Sequence, residues 1–257
     1  MAKSHKERIG ERFKTNEGYE VIIIEYNNAN DLWVEFQDKY KAIVPNTYQH
    51  CKNGGIKNPY HPSVFGVGYM GVGKYKSRDE QGNKTKCYED WHNLLKRGFD
   101  EELKNKRPTY KDIIVNQELF NFQDFAEWWH NNYYEIEGER MNIDKDILVK
   151  GNKEYRFDRM IFVPSRINSL FVKCDARRGD YPIGVSYNKK DNKYGAYCNT
   201  DNKKQNFLGY YNTPEEAFKV YKKFKEEYIK QVADEYKYYI PKELYEAMYT
   251  WEVEIDD

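Results

Sequence analysis

Residues 181–218, YPIGVSYNKKDNKYGAYCNTDNKKQNFLGYYNTPEEAF, decide how the last third of this 257-residue chain folds. Residues 183–187, 194–199 and 206–211 are short runs rich in Val, Ile, Phe and Tyr, and each predicts a β-strand. Asp191-Asn192 and Asp201-Asn202 lie between them and mark turns, because Asn and Asp tolerate the backbone angles a tight reversal needs. Thr213-Pro214-Glu215-Glu216 then has every feature of a helix start. The Thr hydroxyl can accept a backbone N–H, Pro occupies the first turn, and the two carboxylates face the positive end of the helix dipole. Ala217, Phe218, Tyr221, Phe224 and Tyr228 recur at helical spacing and form one apolar stripe. The expectation is a three-stranded antiparallel sheet backed by one helix, with a further helix over 241–251.

The same region is locally basic. Between residues 165 and 206 there are nine Lys/Arg and four Asp/Glu, although the whole chain balances 42 of each. Arg177, Arg178, Lys189, Lys190, Lys193, Lys203 and Lys204 fall mainly in turns or at strand ends. Strand alternation puts Val185 inward and Ser186 and Asn188 outward, and it gives Tyr197 and Asn199 a common face. A basic, polar sheet face of this kind fits a DNA major groove, where Asn pairs with adenine edges and Lys holds phosphates. An ordinary solvated sheet face has the same composition.

The wording is more specific than the charge. Tyr181-Pro182-Ile183-Gly184-Val185, Lys193-Tyr194-Gly195-Ala196-Tyr197 and Leu208-Gly209-Tyr210-Tyr211-Asn212-Thr213-Pro214-Glu215-Glu216-Ala217-Phe218 resemble the plant ethylene-response-factor (Apetala-two type) DNA-binding domain over about fifty residues. The resemblance implies a three-stranded sheet docked in the major groove of double-stranded DNA. It also implies DNA contacts at Ser186, Asn188, Tyr197, Asn199, Gln205 and Phe207, flanked by Lys189, Lys190, Lys193, Lys203 and Lys204. The plant domains mostly use Arg and Trp at the reading positions, so their base preference does not carry over.

Upstream, Trp91, Leu94 and Leu95 share one helical face, and Phe122, Phe125, Ala126 and Trp129 share another, with Pro108 between the two segments. A turn-rich stretch is expected over 142–155. A strand follows at 160–163, then a short helix through Asn168 capped at Pro164 or Ser165. Trp91-His92-Asn93-Leu94-Leu95-Lys96-Arg97, Tyr110, Phe122-x-x-Phe125-x-x-Trp128, Ile143-Asp144-Lys145-Asp146, Tyr155, Phe162-Val163-Pro164 and Ile167-Asn168 resemble a divergent phage or mobile-element homing endonuclease of the HNH type. In that family such sheet readers stand behind the nuclease. The resemblance implies metal-dependent cleavage of duplex DNA by a ββα core, with Asp144, Lys145 and Asn168 at the catalytic positions. Asp144, Asp146 and Asn168 would hold Mg²⁺ or another divalent cation. The position of the general base is occupied by Lys145, a weak base for activating water, and Arg159 stands where relatives carry Asn. Asp144-Lys145-Asp146 equally makes a plain turn in which the Asp side chains accept nearby amides. A catalytically inactive DNA-binding, regulatory or anti-host phage protein on the same scaffold is therefore the alternative to a nuclease. A phage protein that binds other proteins through its 25 tyrosines is a third reading.

The first eighty residues predict a small β module, with strands at 21–26 and 32–36 and a third over 41–48. Arg12-Phe13, the isoleucine-rich hairpin and Gly54-Gly55-Ile56-Lys57-Asn58-Pro59 resemble the β segment ahead of the nuclease in the same phage proteins. This resemblance suggests either backbone contacts from Lys52, Lys57 and Lys74, or a folding or dimerisation role. Residues 66–71 spell GxGxxG and residues 68–74 spell GxxxxGK, but Tyr75 follows Lys74 where phosphate loops carry Ser or Thr, and no helix pattern follows. Nucleotide binding is set aside, and the glycines are assigned to turns or close backbone approach. Cys51, Cys87, Cys174 and Cys198 form no CxxC pair and are expected to be reduced thiols. No stretch is apolar enough for a membrane span or a leader, which points to the cytoplasm, the host's if the chain is phage-encoded. The whole is expected to be α+β. It divides into an amino-terminal β module (1–80), an HNH-like domain (87–173), a sheet-and-helix DNA-binding domain (174–232) and a helical extension (233–257).

Overall fold

The computed structural model describes residues 5–172, 180–200 and 205–255. In chain order the elements are α1 (His5–Arg8), β1 (Arg12–Lys14), β2 (Glu20–Asn28), β3 (Asp31–Phe36), β4 (Ile43–Asn46), α2 (Tyr48–Asn53), α3 (Lys86–Phe99), α4 (Glu101–Lys106), β5 (Ile114–Val115), α5 (Phe122–Asn132), β6 (Met141–Asp144), β7 (Glu154–Tyr155), β8 (Ile161–Pro164), α6 (Ser165–Leu170), β9 (Val185–Asn188), β10 (Lys193–Asn199), β11 (Gln205–Tyr211), α7 (Pro214–Tyr236) and α8 (Lys242–Tyr249). Helices and strands are mixed, with an antiparallel sheet in the amino-terminal part and another backed by a helix in the carboxy-terminal part, and the fold class is α+β as expected. The chain divides into two compact units, Met1–Asn131 with Glu154–Phe157, and Asn132–Lys153 with Asp158–Asp257.

In the first unit β1–β4 form an antiparallel sheet in sequence order. Val21, Ile23, Leu32, Val34 and Phe36 are its fully buried face, closed by Cys51 and Ile56. Alternation thus buries the residues that the hairpin pattern places inward. The glycine-rich loop has a packing role. A side chain at Gly68 would collide with Leu95 and Trp91 of α3, and one at Gly73 would collide with Gln123 of α5. Trp91 is itself fully buried, and its indole N–H donates to the Leu119 carbonyl at 2.7 Å. The GxxxxGK pattern is the imprint of loop against helix, in keeping with close backbone approach.

In the second unit β6 and β8 pair antiparallel, with Asp144 opposite Ile161 and Met141 opposite Pro164, and α6 follows β8 directly. The sequence pattern reads 142–155 as turns. Its first residues belong instead to β6, and residues 154–155 are β7, paired with β5 in the first unit. Pro164 occupies the cap position of α6 but has no side-chain acceptor to offer, and the Ser165 hydroxyl accepts from the Asn142 amide at 2.8 Å.

The carboxy-terminal sheet has the order β11-β10-β9 and is antiparallel throughout. Helix α7 opens as the sequence predicts. The Thr213 hydroxyl accepts the Glu216 amide at 3.2 Å, and the Glu216 carboxylate accepts the amides of Asn212 and Thr213. The helix runs on to Tyr236, however, so the boundary expected at residue 232 lies inside it. Its first half packs Ala217, Phe218 and Tyr221 behind the sheet. Its second half buries Ile229, Val232, Ala233 and Tyr236 with Val163, Ile167 and Leu170 of the ββα segment and Leu244 and Met248 of α8. One helix is the spine of the unit.

Candidate nucleic-acid interface

The sheet face opposite α7 is built by alternation and one irregularity. Val185, Ala196, Cys198 and Leu208 turn toward the helix, Ala196 and Cys198 being buried and Val185 and Leu208 partly so. The other face carries Ser186, Asn188, Tyr197, Asn199, Gln205 and Phe207, so the expected reading positions do share one side. Between Ala196 and Tyr197 the register shifts, because β11 has an extra residue there. The pivot is Gly209, at φ +125°, a backbone angle that residues with side chains avoid. The bulge turns Tyr210 outward beside Phe207, where strict alternation would have turned it in.

This face is more aromatic than the sequence pattern suggests. The Tyr197 and Phe207 rings are 5.2 Å apart, and Phe207 meets Tyr210 edge-on at 4.8 Å. Phe207 is 52% exposed and Tyr210 41%. Tyr197 lies over Gly195, whose missing side chain leaves room for the ring. Desolvation by burial, and then the neighbouring Tyr210 hydroxyl, raise the Tyr197 pKa above the ordinary tyrosine value. Asn188 is used twice over. Its amide N–H groups donate to Tyr210 Oη and Asp191 Oδ2, both at 2.8 Å, and its oxygen accepts the Lys190 amide at 3.0 Å. The Asn188 side chain, expected to read bases, is therefore tied into the sheet and its hairpin, whereas Ser186 is exposed. Asn199 and Gln205 are exposed, as are Lys189, Lys190 and Lys193 around the hairpin. Among the described residues no ion pair involves these three lysines. Lys203, Lys204, Arg177, Arg178 and Cys174 lie outside the described residues. Alternation alone does not find Tyr210, whose outward position depends on the bulge; Gly209 is the signal for it in the sequence.

The ββα segment places the other candidates. Asp144 ends β6, and its Oδ1 accepts the amides of Asp146 at 2.9 Å and Ile147 at 2.8 Å. That is the plain turn geometry that the sequence allows as an alternative to a metal role. Burial, and then the neighbouring Asp146 carboxylate, push the Asp144 carboxyl up to about 6. The Lys145 ammonium lies 3.3 Å from Asp146 Oδ2, and the Lys145 carbonyl accepts the Asn152 amide at 2.6 Å. Arg159 donates to Asn152 Oδ1 at 3.4 Å. Asn168 is partly buried in α6. Among the described residues no group of three or more His, Cys, Asp or Glu side chains is placed to hold a metal ion. One carboxylate oxygen is already taken by two amides, and the adjacent carboxylate by a lysine. Asp144, Asp146 and Asn168 thus make a poor donor set for Mg²⁺, which favours several oxygen ligands in near-octahedral array.

His92 and His130 belong to the first unit. His92 packs on Phe65 with ring centroids 4.9 Å apart, and desolvation lowers its pKa; His130 stacks on Tyr75 at 4.8 Å. Lys57 and Lys74 pair with Glu17 at 3.2 Å and Glu127 at 3.5 Å, and Lys52 lies over the Tyr48 ring. No helix among the described residues is long and apolar enough to cross a membrane. Comparison with family models, with curated proteins and with solved structures finds no match to this chain.

Proposed function

We propose that this chain binds double-stranded DNA through the outer face of β9–β11, and that its ββα segment supports the reader without cutting DNA. The observation that carries the proposal is the gathering of Tyr197, Asn199, Gln205, Phe207 and Tyr210 on one exposed sheet face. At its hairpin end stand lysines with no ion pair among the described residues. A major groove admits a β-ribbon, and with this face toward it the lysines would lie toward phosphates. Gel-shift titration with duplex DNA is expected to show binding that weakens steeply as salt rises. Absence of binding at low salt would leave a protein-binding role as the explanation of the aromatic face.

Metal-dependent cleavage is the second reading, favoured by the succession of β6, β8 and α6, with Asp144 at the end of β6 and Asn168 in α6. A plasmid-nicking assay with Mg²⁺ or Mn²⁺ separates the two. The supporting role expects intact plasmid from wild type, Asp144→Ala and Asn168→Ala alike. Nicking by wild type that both substitutions abolish would establish the nuclease instead.

A further inference from the structure

The proposed DNA face is not equally suited to every base. Guanine is read best by paired N–H donors of Arg or Lys aimed at O6 and N7, whereas thymine offers a C5 methyl to an apolar surface in the same groove. Here the lysines stand at the hairpin end, and the middle of the face is a cluster of three rings, Tyr197, Phe207 and Tyr210. The Tyr210 hydroxyl accepts the Asn188 amide at 2.8 Å. The aromatic carbon of this cluster is most open at Phe207, which is 52% exposed.

We infer that this face selects thymine through its C5 methyl group, so that the duplex it prefers is rich in A·T pairs. The inference rests on the duplex-binding function proposed above and adds the base it favours. The occupant is set by complementarity on both counts. Lys189, Lys190 and Lys193 suit the phosphates that border a major groove, and the rings suit the methyls that line its floor. Asn199 and Gln205, exposed beside the rings, are the side-chain types that pair with adenine N6 and N7 opposite those thymines.

The test uses the full chain and three alternating copolymer duplexes as competitors: dA·dT, dA·dU, which lacks only the methyl, and dG·dC. Burying one methyl is worth about fourfold in affinity. Rings that reach two methyls give an expected preference of about fifteenfold for dA·dT over dA·dU. Phe207→Ala is expected to remove most of that preference, and circular dichroism checks that this half-exposed position leaves the fold intact. Lys189→Gln combined with Lys190→Gln weakens binding to dA·dT and dA·dU together and keeps their ratio. Equal affinity for dA·dT and dA·dU overturns the thymine inference while duplex binding stands. A preference that survives Phe207→Ala overturns its assignment to this face. Failure to bind any of the three duplexes at low salt overturns both the inference and the function beneath it.

Discussion

At Asp144 a carboxylate closes a turn in a partly buried position, and its chemistry can be separated from that of a metal ligand. Its pKa is raised from 3.8 to about 6, so between those values the folded chain holds a proton that the unfolded chain has released. Stability is therefore expected to fall as pH rises through that window. Asp144→Asn keeps an oxygen for the two amides and removes the charge. It is expected to be more stable than wild type by about 1–2 kcal/mol near pH 7.5, the gap closing toward pH 4, as urea titrations across that range would measure. Added Mg²⁺ should leave both melting temperatures unchanged; stabilisation of wild type that Asp144→Asn loses would place a cation on the carboxylate. Gly184 offers a second residue-scale test. It adopts φ +76°, and a side chain there would run into the Tyr221 ring, whereas Gly138 adopts the same φ with open space around it. Gly138→Ala is expected to cost about 1 kcal/mol for backbone strain alone, and Gly184→Ala about 2–4 kcal/mol, both read from denaturant midpoints.

Helix α7 joins two structures that the sequence suggests are separate. Truncating fully buried Ile229 to Ala should cost about 2–5 kcal/mol, against about 1 kcal/mol for Thr213→Ala at the cap. Because one helix supports both the sheet and the ββα segment, Ile229→Ala should raise amide exchange at Val163 and at Ala196 together. Exchange rising at Val163 alone would mean that the two halves of α7 open independently. Local chemistry makes the start of this helix legible, since Thr213, Pro214 and Glu216 specify a cap without help from the rest of the fold. Its end is less visible. The apolar spacing at Ile229, Val232, Ala233 and Tyr236 continues the helix, but only the partners in α6 and α8 show why it must. Strand β6 is hidden for a related reason. Met141–Asp144 is a four-residue strand with one fully inward residue, and it gains its identity from pairing with β8. On the outer sheet face, strand alternation locates Ser186, Tyr197 and Asn199, and the family resemblance adds Gln205 and Phe207, while the bulge at Gly209 and the internal use of Asn188 are tertiary facts that alternation cannot report.

Across the whole molecule 42 basic and 42 acidic residues cancel, so no long-range field draws the chain to a polyanion. Several of its cations are answered locally, as Lys57 is by Glu17 and Lys74 by Glu127. The hairpin lysines Lys189, Lys190 and Lys193 differ in having no ion pair among the described residues, and the DNA binding proposed above would depend on such local sites. Each phosphate neutralised by a lysine releases counterions and contributes about −0.9 to the slope of log affinity against log salt. Lys189→Gln combined with Lys190→Gln is therefore expected to make that slope shallower by about 2 and to weaken binding to all duplex sequences alike. The same pair of changes at Lys57 and Lys74 should leave the slope unaltered, because those cations are already paired with carboxylates. Fluorescence anisotropy over a series of salt concentrations measures both. If the amino-terminal pair shifts the slope and the hairpin pair does not, the DNA lies on the first unit, and the sheet face of the second must serve another partner.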